Sequence, residues 1–235
     1  MINLFKKKET VPDIPELSNF EKKLMNKIKN LSMTSIERQF SLIKSVQYII
    51  NNNINGDIVE CGVWRGGNMV LVAELLNKFK VYRKLWLYDT YEGMTKPSKY
   101  DKSKRSGAAR KKFFDNKTGK NSSDWCFASI DEVKKNLYKT RYPSNKIKFI
   151  KGPVEETLKK NKPRKISILR LDTDWYSSTK MELEILYPKL VKNGVIIIDD
   201  YGHWLGCRKA CDEYFKNKKI LFHRIDYTCR VGMKI

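Results

Sequence analysis

From residue 56 to the C-terminus, short apolar runs alternate with longer amphipathic stretches, and this alternation fixes the fold class before any single residue is considered. The segment "DIVECGV" (57–63) reads as a strand, "MVLVAELLNKF" (69–79) as a helix and "KLWLYDT" (84–90) as a second strand. Strands are predicted again at 146–152, 166–172 and 194–200, with helices around 130–139, 177–190 and 206–217. Two last strands, 219–225 and 229–235, lie close enough to pair as a hairpin. Parallel strands joined by helical crossovers imply an α/β protein, Rossmann-like, with helices on both faces of a mostly parallel sheet. With the C-terminal antiparallel hairpin the sheet has seven strands. The β-branched run Val195–Ile198 is that of a central strand buried on both sides.

Residues 1–55 are expected to form a helical extension or lid in front of this sheet domain, which takes up 56–235. Leu24, Ile28 and Leu31 make one apolar stripe, Phe40, Ile43 and Val46 another, and a helix is expected to start near Thr34. Residues 93–127 are polar, lysine-rich and weakly periodic, too long for an ordinary connection, and are expected to be a functional or mobile insertion.

A length of 235 residues suits one domain with a large core. No apolar run approaches the roughly 20 residues of a membrane span, and "MINLFKKKET" has no apolar core of a secretion signal. Cysteines 61, 126, 207, 211 and 229 are odd in number and scattered, as reduced thiols of a cytoplasmic protein are. The net charge of +22 raises nucleic acid or another anion as a partner. The charge concentrates in 95–124, with ten Lys/Arg against three Asp, and in 134–165, with twelve against two Glu. Neither stretch interleaves aromatics with bases, which argues against single-stranded nucleic acid.

Sheets of this kind bind ligands beyond the carboxyl ends of their strands, near the point where strand order reverses. At those ends stand Glu60, Asp89, Asp172 with Asp174, and the pair Asp199–Asp200. In "VECGVWRGGN" (59–68), Gly62, Gly66 and Gly67 let the backbone turn tightly and approach a ligand at a helix start. The spacing is not GxGxxG, which disfavours an NAD-dependent dehydrogenase. Asp89, followed by Thr90, is placed to accept hydrogen bonds from ribose hydroxyls, so the turn and the acid together fit an adenosine-containing cofactor. Asp172, Asp199 and Asp200 lie at the ends of strands expected to be neighbours. Carboxylates crowded in this way repel unless a cation sits among them. Oxygen ligands suit a hard ion, Mg²⁺ first, with Ca²⁺ or Mn²⁺ open. Asp174 is left over as a general base. His203 reads as structural or as an alternative base, His223 has no role, Arg208 reads as a surface residue, and Cys207 with Cys211 lacks the second ligand pair of a zinc site.

At these motifs the chain resembles the macrocin O-methyltransferase family. The resemblance runs from about residue 33 to the C-terminus and rests on "GDIVECGVWRGGN", "LYDTYEGM", "ILRLDTDWYSST", "LYPKLVKNGVIIIDDYGHWLGCRKACDEYF" and "IDYTCRVGMKI". It implies the class I methyltransferase fold and an enzyme using S-adenosyl-L-methionine and Mg²⁺ to methylate a sugar hydroxyl. It makes Asp172, Asp199 and Asp200 the metal ligands and Asp174 the base. Glu60, Gly62, Val63, Trp64 and Arg65, with Gly66, are implied to line the methionine end of the cofactor, and Asp89 and Thr90 its ribose. Ser129 and the Gly152–Pro153 turn would flank the adenine, and Met33 and Thr34 would close over the cofactor. A homo-oligomer is expected from the resemblance alone. The lysine-rich 95–124 stretch departs most from the family, and there the acceptor is least transferable. A catechol-like or other small diol remains an alternative acceptor. A nucleic-acid methyltransferase and a non-catalytic scaffold are the competing classes.

Overall fold

The computed structural model describes residues 14–235; the first 13 residues of the expected extension lie outside the described residues. Two helices precede the sheet, α1 (Asn19–Ile28) and α2 (Ile36–Asn51). Ser18 and Glu21 close a reciprocal capping box at the start of α1, and Ser35 caps α2 by accepting from the Arg38 N–H. Leu24, Met25 and Ile28 from α1 and Ile43, Val46 and Ile49 from α2 join the same buried cluster as Leu71 and Leu75 of the next helix. The extension is therefore built into the core.

The strands and helices that follow are β1 (Asp57–Cys61), α3 (Gly67–Phe79), β2 (Leu85–Asp89), the short pair β3 (Lys102–Ser103) and β4 (Gly107–Ala108), then α4 (Ala109–Asp115) and α5 (Ile130–Tyr138). They continue as β5 (Ile147–Lys151), α6 (Val154–Lys160), β6 (Ile166–Leu171), α7 (Tyr176–Leu186), β7 (Leu190–Ile198), α8 (Leu205–Phe215), β8 (Phe222–Arg224) and β9 (Arg230–Met233). The seven-stranded sheet runs β5-β2-β1-β6-β7-β9-β8. Its first five strands are parallel, and β9 pairs antiparallel with both β7 and β8. Strand order reverses between β1 and β6, so their carboxyl ends open the crevice that holds the site.

Period-two alternation sorts the central strands onto two faces. Ile58, Ile168, Val195 and Ile197 pack toward α1–α3, while Val59, Leu169, Ile196 and Ile198 pack toward α7 and α8. Each such side chain contributes about 1.5–3 kcal/mol on full burial.

Several local expectations change. Helix α6 is missing from the sequence reading because about two turns show no clear period. Its signals were present nonetheless, with Glu155 and Glu156 in the first turn and Lys159 and Lys160 in the last. The helix expected to 190 stops at Leu186, and Pro188 lies in a short 3₁₀ turn from which β7 departs at Leu190. The hairpin strands are shorter than predicted. The 93–127 insertion is folded: Phe113 is fully buried, the Trp175 indole N–H donates to the Thr95 carbonyl at 3.0 Å, and Asp101 accepts the Tyr176 N–H at the start of α7 at 2.8 Å.

Candidate active site

A cavity of about 470 Å³ lies over the carboxyl ends of β1, β2, β5, β6 and β7. Its position follows from the backbone of the first turn. The Gly62 N–H donates to the Tyr88 carbonyl at 2.8 Å, the Asp172 N–H to the Cys61 carbonyl at 2.9 Å, and the Asp199 N–H to the Leu171 carbonyl at 2.9 Å. Each strand end is thereby tied to its neighbour, and the side chains just beyond converge.

On one side the wall consists of Gly62, Val63 and Trp64 after β1, Asp89 and Thr90 after β2, Gly152 and Pro153 after β5, and Met33 and Thr34 from the segment before α2. Trp64 lies in the left-handed region at φ 46°, a strain that persists only where surrounding contacts enforce it. Asp89 supplies those contacts. Its Oδ2 accepts the Val63 and Trp64 N–H groups at 2.7 and 3.1 Å, and its Oδ1 accepts the Tyr91 N–H at 2.8 Å. Burial raises the Asp89 carboxyl above its ordinary value, and these three amides oppose the rise.

Four residues expected at the cofactor stand outside the cavity wall, each for a visible reason. Glu60 points behind it, where Asn68 donates to Oε1 at 3.0 Å and Arg170 pairs with the same oxygen at 2.6 Å. Arg65 turns outward to Glu132 at 3.1 Å, and Gly66, at φ 80°, is the N-cap of α3. Ser129 caps α5 by accepting the Glu132 N–H at 3.2 Å. Sequence spacing brought these residues near the site but could not show which way they face.

On the other side Asp172, Asp199 and Asp200 present carboxylate oxygens within 4.8 Å of one another. Asp174 faces the same space at φ 68°. Burial and the neighbouring Asp172 charge push Asp174 up to about 7. Burial and the Asp174 charge lift Asp200 well above the carboxylate range. Asp199 rises to about 6 through burial, despite Arg170 and Arg38.

Sequence reasoning missed the two arginines that hold these acids. Arg170, buried in β6, donates from Nη1 to Glu60 and to Asp172 at 2.6 and 2.7 Å and from Nη2 to Asp199 Oδ1. Arg38 donates from Nη1 to Asp199 Oδ2 and pairs through Nε with Asp226 at 3.0 Å. Arg170 had a legible signal, a lone charge inside the apolar "ISILRL". Arg38 had none. The two guanidiniums pair with Glu60, Asp172, Asp199 and Asp226, while among the described residues Asp174 and Asp200 have no cationic partner and Asp200 Oδ2 is buried without any partner. The donor set therefore fits a further hard cation.

One hydrogen-bonded chain joins the two sides. The Ser32 and Thr34 hydroxyls lie 2.6 Å apart and 3.2 and 3.1 Å from Asn68 Oδ1, so one donates to the other and the second to Asn68, which leads through Glu60 to Arg170. Trp125 and Trp204 line the outer part of the cavity, and His203, with Nε2 3.2 Å from the Ser106 hydroxyl, edges it. His223 is exposed on β8. Cys207 and Cys211 are buried free thiols, and among the described residues the aspartate trio alone forms a group with metal-ligand spacing.

Comparison with known proteins accords with this geometry. The family model described as "Macrocin-O-methyltransferase (TylF)" matches residues 23–232. The chain is 32% identical over 186 residues to demethyldecarbamoylnovobiocin O-methyltransferase of Streptomyces niveus, covering 78% of this chain and 67% of that one. It is 28% identical to the 8-demethyl-8-(2,3-dimethoxy-alpha-L-rhamnosyl)-tetracenomycin-C 4'-O-methyltransferase of Streptomyces olivaceus, over 78% of this chain and 67% of the relative. The solved structure of the O-methyltransferase NovP superposes with a TM-score of 0.76 at 29% identity, over 87% of this chain and 82% of that one. The protein is an O-methyltransferase, and it belongs to the macrocin O-methyltransferase family.

Proposed function

We propose that this O-methyltransferase moves the methyl group of S-adenosylmethionine to a hydroxyl of a sugar, with a divalent cation, Mg²⁺ first, held by Asp172, Asp199 and Asp200. The carrying observation is the surplus of carboxylates on one side of a cavity whose other side is a strained glycine turn braced by Asp89. The glycine turn, Thr90 and the Gly152–Pro153 turn would receive the cofactor, with Met33 and Thr34 closing over it. The sugar acceptor is supported by the tetracenomycin relative, whose name specifies a rhamnosyl 4'-hydroxyl. Five unpaired cysteines suit a reducing compartment such as the cytoplasm, and among the described residues no helix is long and apolar enough to cross a membrane.

When bound, the cation lowers the pKa of a hydroxyl in contact with it. Asp174 stands in the same space as the trio and takes the hydroxyl proton on its carboxylate as the oxygen attacks the methyl carbon. General-base help of this kind is typically worth about 10²–10⁴-fold. Asp89 fixes the turn that would receive the cofactor, and alignment of the reacting groups would supply much of the remaining rate. Trp125 and Trp204 cover the acceptor side and exclude water. Arg170 holds Asp172 and Asp199 in register for either ligand.

Calorimetric titration with S-adenosylhomocysteine, with and without Mg²⁺, tests the reading. Binding of S-adenosylhomocysteine is expected, along with a Mg²⁺ heat that Asp199→Ala loses. A protein that does not bind S-adenosylhomocysteine at all overturns it.

A further inference from the structure

Beyond the His203 ring, which forms a shared wall, a second hollow of about 290 Å³ adjoins the main cavity. Lys104 and Arg105, from the turn between β3 and β4, line it together with Arg208 of α8 and the Tyr227 ring. No carboxylate lines it. The Arg105 guanidinium lies 3.5 Å from the centroid of the Tyr227 ring, and Arg208 is fixed by donating from Nε to the Tyr201 carbonyl at 3.2 Å. Both cations are thus positioned by contacts that leave their charge unneutralised. Among the described residues, Lys104, Arg105 and Arg208 have no ion-pair partner, whereas Arg38, Arg65 and Arg170 are all paired with acids. Leu205, the first residue of α8, completes the wall.

Three cations without an acidic partner around one small hollow form a site for a compact anion with several oxygens. The hollow is also tied to the aspartate trio. The Asp200 carbonyl accepts the His203 N–H at 3.0 Å, so the ring that walls off the hollow is one tight turn from a proposed metal ligand. A ligand that places a hydroxyl at the trio and passes the His203 edge reaches the cations.

Resting on the sugar-methylating reading above, we propose that the acceptor is a sugar carrying a phosphate or diphosphate group, which binds among Lys104, Arg105 and Arg208 while the hydroxyl to be methylated lies at the aspartate trio. Lys104 and Arg105, two of the ten basic residues of the lysine-rich insertion, are then part of the acceptor site.

The test uses the full chain saturated with S-adenosylhomocysteine, titrated with inorganic phosphate and with pyrophosphate by calorimetry. Both are compared in wild type, Lys104→Gln/Arg105→Gln and Arg208→Gln. Pyrophosphate binding that weakens with salt and falls roughly tenfold or more in both variants, with S-adenosylhomocysteine binding unchanged, supports the proposal. Tighter binding of pyrophosphate than of phosphate points to a diphosphate-linked sugar, and equal binding to a sugar phosphate. If neither anion binds at millimolar concentration, or if both variants bind as wild type does, the proposal is overturned while the methyltransferase reading stands. A single-stranded oligonucleotide that displaces pyrophosphate at lower concentration also overturns it, in favour of a nucleic-acid surface. Failure to bind S-adenosylhomocysteine instead counts against the parent reading.

Discussion

A methyl group on Gly62 would lie 1.9 Å from the backbone oxygen of Asp172. These two residues end adjacent strands, and their contact brings the cofactor turn and the first acid of the trio together. Gly62 also has φ 80°, a conformation costly for any other residue. Gly62→Ala therefore strains its own backbone and pushes Asp172 away. We expect a loss of more than about 3 kcal/mol in stability, measured by urea unfolding, together with loss of S-adenosylhomocysteine binding.

Arg170 is the buried counter-charge of Glu60, Asp172 and Asp199. Removing one partner of such a group leaves uncompensated charge, so Arg170→Met should cost about 3–5 kcal/mol. The loss should shrink at low pH as the acids take up protons. Arg170→Lys should restore little, because an ammonium cannot span three carboxylates as the planar fork does. Chemical denaturation of both variants at pH 6 and pH 8 provides the measurement.

Asp174→Asn keeps the shape and the hydrogen-bonding capacity of the side chain but removes its ability to take a proton. Turnover should fall about 10²–10⁴-fold while S-adenosylhomocysteine affinity stays at the wild-type value. A rate equal to wild type would remove Asp174 from the reaction.

Glu182 gives a pH signature away from the trio. It is buried on α7, where the Thr173 hydroxyl donates to Oε1 at 2.9 Å and Oε2 has no partner. Burial pushes its carboxyl from 4.5 up to about 8. The folded protein therefore holds a proton that the unfolded chain has released, so the contribution to stability is full below 4.5 and is lost as pH rises to about 8. Glu60, raised to about 7, acts in the same direction. Glu182→Gln keeps the neutral form at every pH, so its stability relative to wild type should improve steadily from pH 5 to pH 8. Unfolding midpoints across that range test it, and parallel curves would refute the assignment.

The sheet was legible because its strands are buried on both faces and therefore read as unbroken apolar runs, with Val195–Ile198 the clearest. Asp172, Asp174, Asp199 and Asp200 were legible because acids directly after such runs have one place to go, the crevice beyond the sheet. Side-chain direction was not legible. Glu60 precedes Gly62 by two residues, yet one faces the core and the other the cavity, since pleating and the turn at residue 62 decide this three-dimensionally. Arg38 was invisible for a related reason: it meets Asp199 across 161 residues, and nothing local to α2 announces an acid partner. The insertion read as loose because its order comes from single anchors, Asp101 and Phe113, rather than from a repeating pattern.

The double grip on Asp199, by Arg170 from within and Arg38 from the helix side, also has a consequence for the life of the protein in a cell. Small metalloproteins whose ligands have no other partner stay unfolded until an ion arrives. Here Asp172 and Asp199 already have arginine counter-charges in the folded chain, so folding of this part of the site does not depend on an ion. If the proposed cation binds, its entry would follow folding and compete with the Arg38 contact to Asp199, so protein treated with a chelator should keep its unfolding midpoint and regain any cation response on Mg²⁺ addition without refolding.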